Sequence, residues 1–247
     1  MLKQADPGDP EIWHELGDAF QHGHGVERDV PKAEEWFRKS GNAGHAPSMV
    51  RLGLLLTQGE RTPEEVRESV DWFRRAAELG DARGMTWMGF AYRQGTGVPV
   101  DERTAADWFI KAYAAGSRSA SELAGRLLAH KLENHPEAVK WLRTAVEDGD
   151  DSAYYNLALI HEHRNSPEYD PEEAFRCWSH VAERPKGNLR IVAMFILARW
   201  CRDGIGTERS RDEAKRWLDR ILAVAPKDKS DYRDAAKLRR EIDDDLF

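Results

Sequence analysis

Small and large apolar positions recur along the chain at a helical spacing and then recur again at a much longer one. Gly17, Gly53, Gly89 and Gly125 stand 36 residues apart, and Ala158 and Ala198 continue the series out of step. Leu16, Leu52, Met88, Ala124, Leu157 and Leu197 immediately precede these small residues. Phe20, Leu56, Tyr92, Leu128, His161 and Cys201 follow them by three, and Trp13, Met49, Met85, Ser121, Tyr154 and Met194 precede them by four. Spacings of three and four place these positions on one helix face. A second series, Trp36, Trp72, Trp108, Trp141, Cys177 and Trp217, follows the first by 19 residues, except in the fourth pair, where it follows by 16. A fixed period of this size marks a repeat architecture. The pattern predicts six pairs of helices, with the small residue of the first helix letting the second approach closely and the tryptophan phase in the core.

The predicted helix ends keep the same register. Asp29, Asp101, Asn134, Asp170 and Ser210 stand seven residues before the tryptophan position and are residue types that cap helix N-termini. Asn134/Glu137, Asp170/Glu173 and Ser210/Glu213 have capping-box spacing, and Thr62 with Glu65 starts the second repeat one turn earlier. Gly44, Gly80, Gly116 and Gly149 follow the second helices, where a left-handed terminus favours glycine. The linkers within repeats read Gly23–Val26 (GHGV), Gly95–Val98 (GTGV) and Gly204–Thr207 (GIGT), while the intervening repeats lack the double glycine. Residues 183–188 (ERPKGN) add four residues between repeats five and six. The tail carries Tyr232, Ala235, Ile242 and Leu246 among charges and predicts a helix over 228–247 that covers the open end of the array.

Residues 10–225 are therefore read as a single array, with repeats at about 10–44, 45–80, 81–116, 117–149, 150–185 and 188–225. Composition agrees: 40% of residues are hydrophobic, 33% are charged and the mean hydropathy is −0.71, as expected of stacked amphipathic helices. A net charge of −7, from 44 acidic and 37 basic side chains, disfavours a nucleic-acid or anionic-membrane partner. No apolar run approaches the roughly 18 residues of a membrane span, and the first 18 residues contain no signal-peptide core, which predicts a cytoplasmic protein. The two cysteines, Cys177 and Cys201, make neither a disulfide framework nor a metal-ligand spacing. His161 and His163 (HEH) point apart on a helix, so no metal site and no cofactor is expected.

The combined motif, best seen in MGFAYRQGTGVPVDERTAADWFIKAYAAG of the third repeat, resembles the Sel-1-like repeat. The resemblance covers roughly residues 10–225 and implies an all-α, right-handed superhelical solenoid related to tetratricopeptide arrays. It also implies an adaptor that binds a protein or peptide, in bacterial regulation, secretion or toxin immunity, with no catalytic activity. Two alternatives stay open: a self-assembling structural protein, and a β-lactam-binding or hydrolysing enzyme like certain cysteine-rich relatives. Those relatives carry paired cysteines in each repeat, whereas this chain has two in all.

By analogy with tetratricopeptide arrays, the first helices line the concave surface. The positions three before, one after and four after the small residue would face it, and unlike the core phase they do not repeat. They yield an aromatic–arginine surface of Phe90, Arg93, Arg126, Tyr155, Glu162, Phe195, Arg199 and Arg202. Aromatic and arginine side chains are the usual anchors of protein interfaces, and the arginines predict an acidic or carboxylate-bearing peptide.

Overall fold

A computed structural model describes residues 8–184 and 188–244 of the chain, the side chain of Asn188 aside. The added residues before the sixth repeat, in part, and Leu246 lie outside the described residues. The described residues form thirteen α-helices and no strand. They are α1 (Pro10–His22), α2 (Val30–Asn42), α3 (Ala46–Leu55), α4 (Pro63–Glu78), α5 (Ala82–Gln94), α6 (Glu102–Ala114), α7 (Ala120–His130), α8 (His135–Glu147), α9 (Ala153–Glu162), α10 (Pro171–Glu183), α11 (Asn188–Asp203), α12 (Arg211–Val224) and α13 (Ser230–Asp244). Odd-numbered helices up to α11 are the first of each pair and even-numbered helices the second. The chain divides into two compact units, Met1–Leu127 and Leu128–Phe247.

In the first unit the small-residue series does what its spacing predicts, through an unexpected partner. A Cβ on Gly17, Gly53 or Gly89 would lie 2.7, 2.5 or 2.6 Å from the ring of Phe37, Phe73 or Phe109. Each glycine thus receives the aromatic residue 20 positions later, one beyond the tryptophan. Phe37, Phe73 and Phe109 are fully buried. The tryptophan phase is displaced toward the surface: Trp36, Trp108, Trp141 and Trp217 are half-buried, and only Trp72 and Cys177 are buried at that position. Basic side chains one turn later cover the indoles, with Lys39 Nζ 5.1 Å from the Trp36 ring, Arg75 4.1 Å from Trp72, Lys111 4.6 Å from Trp108 and Arg220 4.4 Å from Trp217. The expectation that the tryptophans form the core is corrected. One residue is 100° of helix rotation, and the helix axis turns the following ring, rather than the indole, onto its neighbour.

The second unit keeps the same phase with different residues. Trp178 and Leu218, twenty after Ala158 and Ala198, are fully buried, as are the two alanines. Cys177 and Cys201 are buried free thiols, pushed up to about 12 and about 11 by burial, so they behave as small apolar groups. Helix α13 packs on α12, burying Ala235 and Ile242, with Arg239 Nε 3.2 Å from Asp219 Oδ1.

Caps follow the sequence with one revision. The side chains of Asp29, Asp101, Asp170 and Ser210 each accept an N–H from the first turn. The reciprocal box closes at Thr62/Glu65, where only an earlier helix start was expected, whereas in the proposed boxes Glu173 and Glu213 turn forward to Arg176 and Arg216. Asn134 donates its amide to Glu137 Oε2 at 2.7 Å instead of accepting a backbone N–H.

The double-glycine linkers have a tertiary cause. Gly97 has φ +68, and a Cβ there would lie 2.6 Å from the Val66 carbonyl oxygen; Gly206 has φ +63, and its Cβ would lie 2.0 Å from the Pro171 carbonyl oxygen. The linker of one repeat therefore presses on the start of the preceding second helix. Gly25 has the same backbone, at φ +74, but nothing within 4 Å.

A buried polar chain fastens the first pair to the second. Ser48 Oγ donates to Ser40 Oγ (2.7 Å), which donates to the Pro10 carbonyl (2.6 Å). Ser48 Oγ thus has its lone pairs left for His14 Nδ1 and His45 Nδ1, both at 2.8 Å. The two imidazoles meet edge to face at 5.0 Å. Burial above all, then His45 and Arg51, hold His14 below the ordinary histidine range, against Asp18 and Glu11.

Three outcomes are expected. Phe109→Ala should lower stability by about 3–5 kcal/mol, as for other buried aromatics, and Trp108→Ala by less than half as much; equal losses in urea unfolding would contradict the burial pattern. Gly206→Ala should cost about 1–3 kcal/mol more than Gly25→Ala, because the left-handed strain is common to both and only Gly206 meets a carbonyl. Because the folded state resists protonating His14, stability should fall as pH drops through about 6.5. The His14→Asn variant, which keeps a donor for Ser48, should show a smaller drop in urea midpoint between about pH 7.5 and 5.5.

Candidate functional site

The unrepeated positions of the first helices fall into separate clusters in the two units. In the first, α5 carries a row of rings that runs from core to surface. Phe73 stacks on Trp87 at 5.8 Å, Trp87 meets Phe90 at 5.3 Å, and Phe90 stands edge-on to Phe109 at 5.3 Å. Phe90 is half-buried, fixed from behind by the ring that fills Gly89's space. The Arg93 guanidinium, one turn on, lies 5.0 Å from the Phe90 ring centroid. Arg126 of α7 comes close enough to Arg93 to depress its pKa; burial is the larger cause, and Glu122 opposes both. Arg126 Nε lies 3.0 Å from Glu122 Oε1, an ion pair without hydrogen-bonding geometry at that nitrogen. Two guanidinium groups thus share the field of one carboxylate. Phe90, Arg93 and Arg126, chosen from phase alone, stand together.

In the second unit, Tyr155 of α9 meets Trp178 edge-on at 5.8 Å, and the Trp178 indole N–H donates to Glu162 Oε2 at 2.8 Å. Burial raises the Glu162 carboxyl above the usual carboxylate range, opposed by that hydrogen bond and by His163. Phe195 of α11 is half-buried and Arg199 exposed. Arg202 turns onto its neighbour, with Nε 2.7 Å from Asp203 Oδ1 and Nη2 3.0 Å from Oδ2. This pairing holds the Asp203 carboxyl low, with Arg202 the main cause and Arg199 a lesser one. So Tyr155 and Glu162 share Trp178, Arg199 and Arg202 share Asp203, and Phe195 lies on the same helix as the arginines.

Beside Glu162 a cavity of about 480 Å³ opens, lined by Leu159, Glu162, His163, Arg164, Tyr169, Trp200 and Ile205. Sequence phase did not find Tyr169, which sits in the linker between α9 and α10, where no helical register applies. Trp87 and Trp200 were also missed, since each falls two positions from the nearest repeat glycine or alanine. Glu122 was on the surface phase, but its pairing with Arg126 required the fold. Among the described residues, no group of three or more His, Cys, Asp or Glu side chains could hold a metal ion. No described helix is long and apolar enough to cross a membrane.

The fold has solved relatives. A protective antigen present in uropathogenic Escherichia coli strains, displaying an SLR fold, is 25% identical with a TM-score of 0.65, over 97% of this chain and 50% of the other. A Sel1 repeat protein from Oxalobacter formigenes is 21% identical with a TM-score of 0.62, over 96% of this chain and 66% of the other. The chain therefore spans half to two thirds of the length of these relatives. An immunity protein from Pseudomonas aeruginosa, 19% identical over 98% of this chain and 84% of its own, has a TM-score of 0.44, and a likeness of that order carries no argument about role. None of the curated proteins compared with the chain matches it. The Sel1 repeat model matches residues 14–45, 46–81, 82–117, 130–150, 151–179 and 191–221. Six matched repeats over most of the length, the fourth covering little more than its second helix, mean that the chain belongs to the Sel1 repeat family.

Proposed function

We propose that this chain is a non-catalytic scaffold that binds a protein partner through its first helices, as a bacterial adaptor of the regulatory, secretion-associated or toxin-immunity kind. Sel1 repeat proteins generally mediate protein–protein interaction. The reading takes residues 10–225 as one array, because the 36-residue spacing continues from Gly89 to Gly125. The observation that carries it is the Arg93–Arg126 pair. A half-buried guanidinium near a second one, with Glu122 paired to Arg126, invites a further negative charge. A partner carboxylate would supply it while a neighbouring apolar side chain covers Phe90. Arginine suits this role because its planar fork matches a carboxylate and stays charged. An acidic segment of the partner is therefore its expected ligand, with Phe90 as the apolar anchor; in the second unit Tyr155, Glu162, Phe195, Arg199 and Arg202 extend the partner-facing set.

The expected result is direct. Arg93→Glu combined with Arg126→Glu should leave helical circular dichroism intact. It should weaken the partner recovered by cross-linking from the native host at least about tenfold, or about 1.4 kcal/mol, in calorimetry. Most of the change should appear in the association rate and its salt dependence. Unchanged affinity in a folded variant would move the contact to the second helices or the linkers.

A further inference from the structure

The cavity beside Glu162 has a chemistry opposite to that of the Arg93–Arg126 surface. Its floor is a half-buried carboxylate that accepts one hydrogen bond, from the Trp178 indole, and makes no ion pair with a described residue. Its walls are Trp200, the partly exposed ring of Tyr169, Leu159 and Ile205, with His163 and Arg164 exposed at the rim. Glu162 is the last residue of α9, and Trp200 lies in the last turn of α11, so two helix C-termini meet the cavity. The carbonyl end of a helix carries partial negative charge and favours a cation. A carboxylate at that position is the opposite of what a helix terminus prefers, which makes Glu162 costly unless something positive arrives.

The wall is built rather than incidental. The linker that carries Tyr169 is fastened at several points. His161 Nδ1 donates to the Glu168 carbonyl at 2.7 Å, and the Glu168 N–H donates to Ser166 Oγ at 3.1 Å. Ser166 Oγ also lies 3.0 Å from His135 Nδ1, and the Asp170 N–H donates to the His161 carbonyl at 3.0 Å. At about 480 Å³ the cavity is within the usual range for a ligand site. Of the cations nearby, Arg164 lies exposed at the rim, and Arg209 Nε donates to the Arg202 carbonyl at 3.0 Å.

We propose that this cavity takes the ammonium of a lysine side chain from the bound partner, with Glu162 as counter-ion and Trp200 and Tyr169 as flanking rings. Assigning the lysine to a partner rests on the scaffold reading above; the cavity's preference for a cation does not. Oε2 already accepts the indole N–H, which leaves Oε1 as the more open acceptor. That suits the point charge of an ammonium better than the two-pronged fork of a guanidinium. The rings contribute through their negative faces.

The full-length protein can be titrated with N-acetyl-lysine methylamide, N-acetyl-arginine methylamide and N-acetyl-glutamate methylamide, following the indole N–H resonances of Trp178 and Trp200. The lysine probe should give saturable shifts, with the arginine probe weaker. Glu162→Gln, which keeps an acceptor for the indole, should weaken the lysine probe at least about fivefold. Tyr169→Ala lies outside every helix and should weaken it too, which keeps the test decisive if Glu162→Gln unfolds. No saturable shift, equal binding by Glu162→Gln, or tighter binding of the glutamate probe through Arg164 would each overturn the proposal. Because the titration needs no partner, its failure leaves the Arg93–Arg126 surface standing. A failure of the charge-reversal experiment there leaves this titration unaffected.

Discussion

The whole array depends on how closely one helix of a pair can lie against the other. At Gly17, Gly53 and Gly89 the answer is set by a missing methyl group: the rings of Phe37, Phe73 and Phe109 occupy the volume a Cβ would need. Glycine inside a helix costs about 1 kcal/mol against alanine, yet three helices accept it at one phase. The gain is a fully buried phenyl ring in each pair, and burying such a side chain is worth about 1.5–3 kcal/mol. The same approach fixes where the rest of each first helix points. Phe90 is at the surface because its neighbour Gly89 is pinned to Phe109, and Arg93 follows Phe90 by one turn.

Between repeats, a second close approach sets the order. Gly97 and Gly206 bring a linker against a carbonyl of the preceding helix, at Val66 and Pro171. These contacts join nearest neighbours only, as expected of a solenoid, in which each repeat rests on the next. Gly25 keeps the linker's backbone with nothing to press on. The glycine pair therefore serves two purposes, a left-handed turn and a close contact, and the first repeat uses only the turn.

Electrostatics divides the two units. In the first, Arg93 lies over the Phe90 ring, with Arg126 near enough to depress its pKa. In the second, Arg202 is paired with Asp203, and the Glu162 carboxylate accepts the Trp178 indole N–H beside a cavity. A chain of net charge −7 thus presents a basic patch in one place and an acidic pocket in another.

The sequence by itself determined the helix pairs, their six-fold recurrence, most of their caps and the family, because each depends on local spacing that every repeat must satisfy. It also placed Phe90, Arg93 and Arg126 at related helix phases, and Arg93 lies over Phe90. It erred by one position in the core, naming Trp108 where Phe109 is buried. Two adjacent large aromatics are equivalent to a periodicity, and only the neighbouring helix axis chooses between them. The meeting of Trp178 with Glu162 and the cavity around Glu162 were decided by tertiary structure alone. Each is an encounter between residues of different elements, such as Tyr169 and Trp200, that no period connects. Burial and distance decide such encounters, and neither is written in the spacing of a chain.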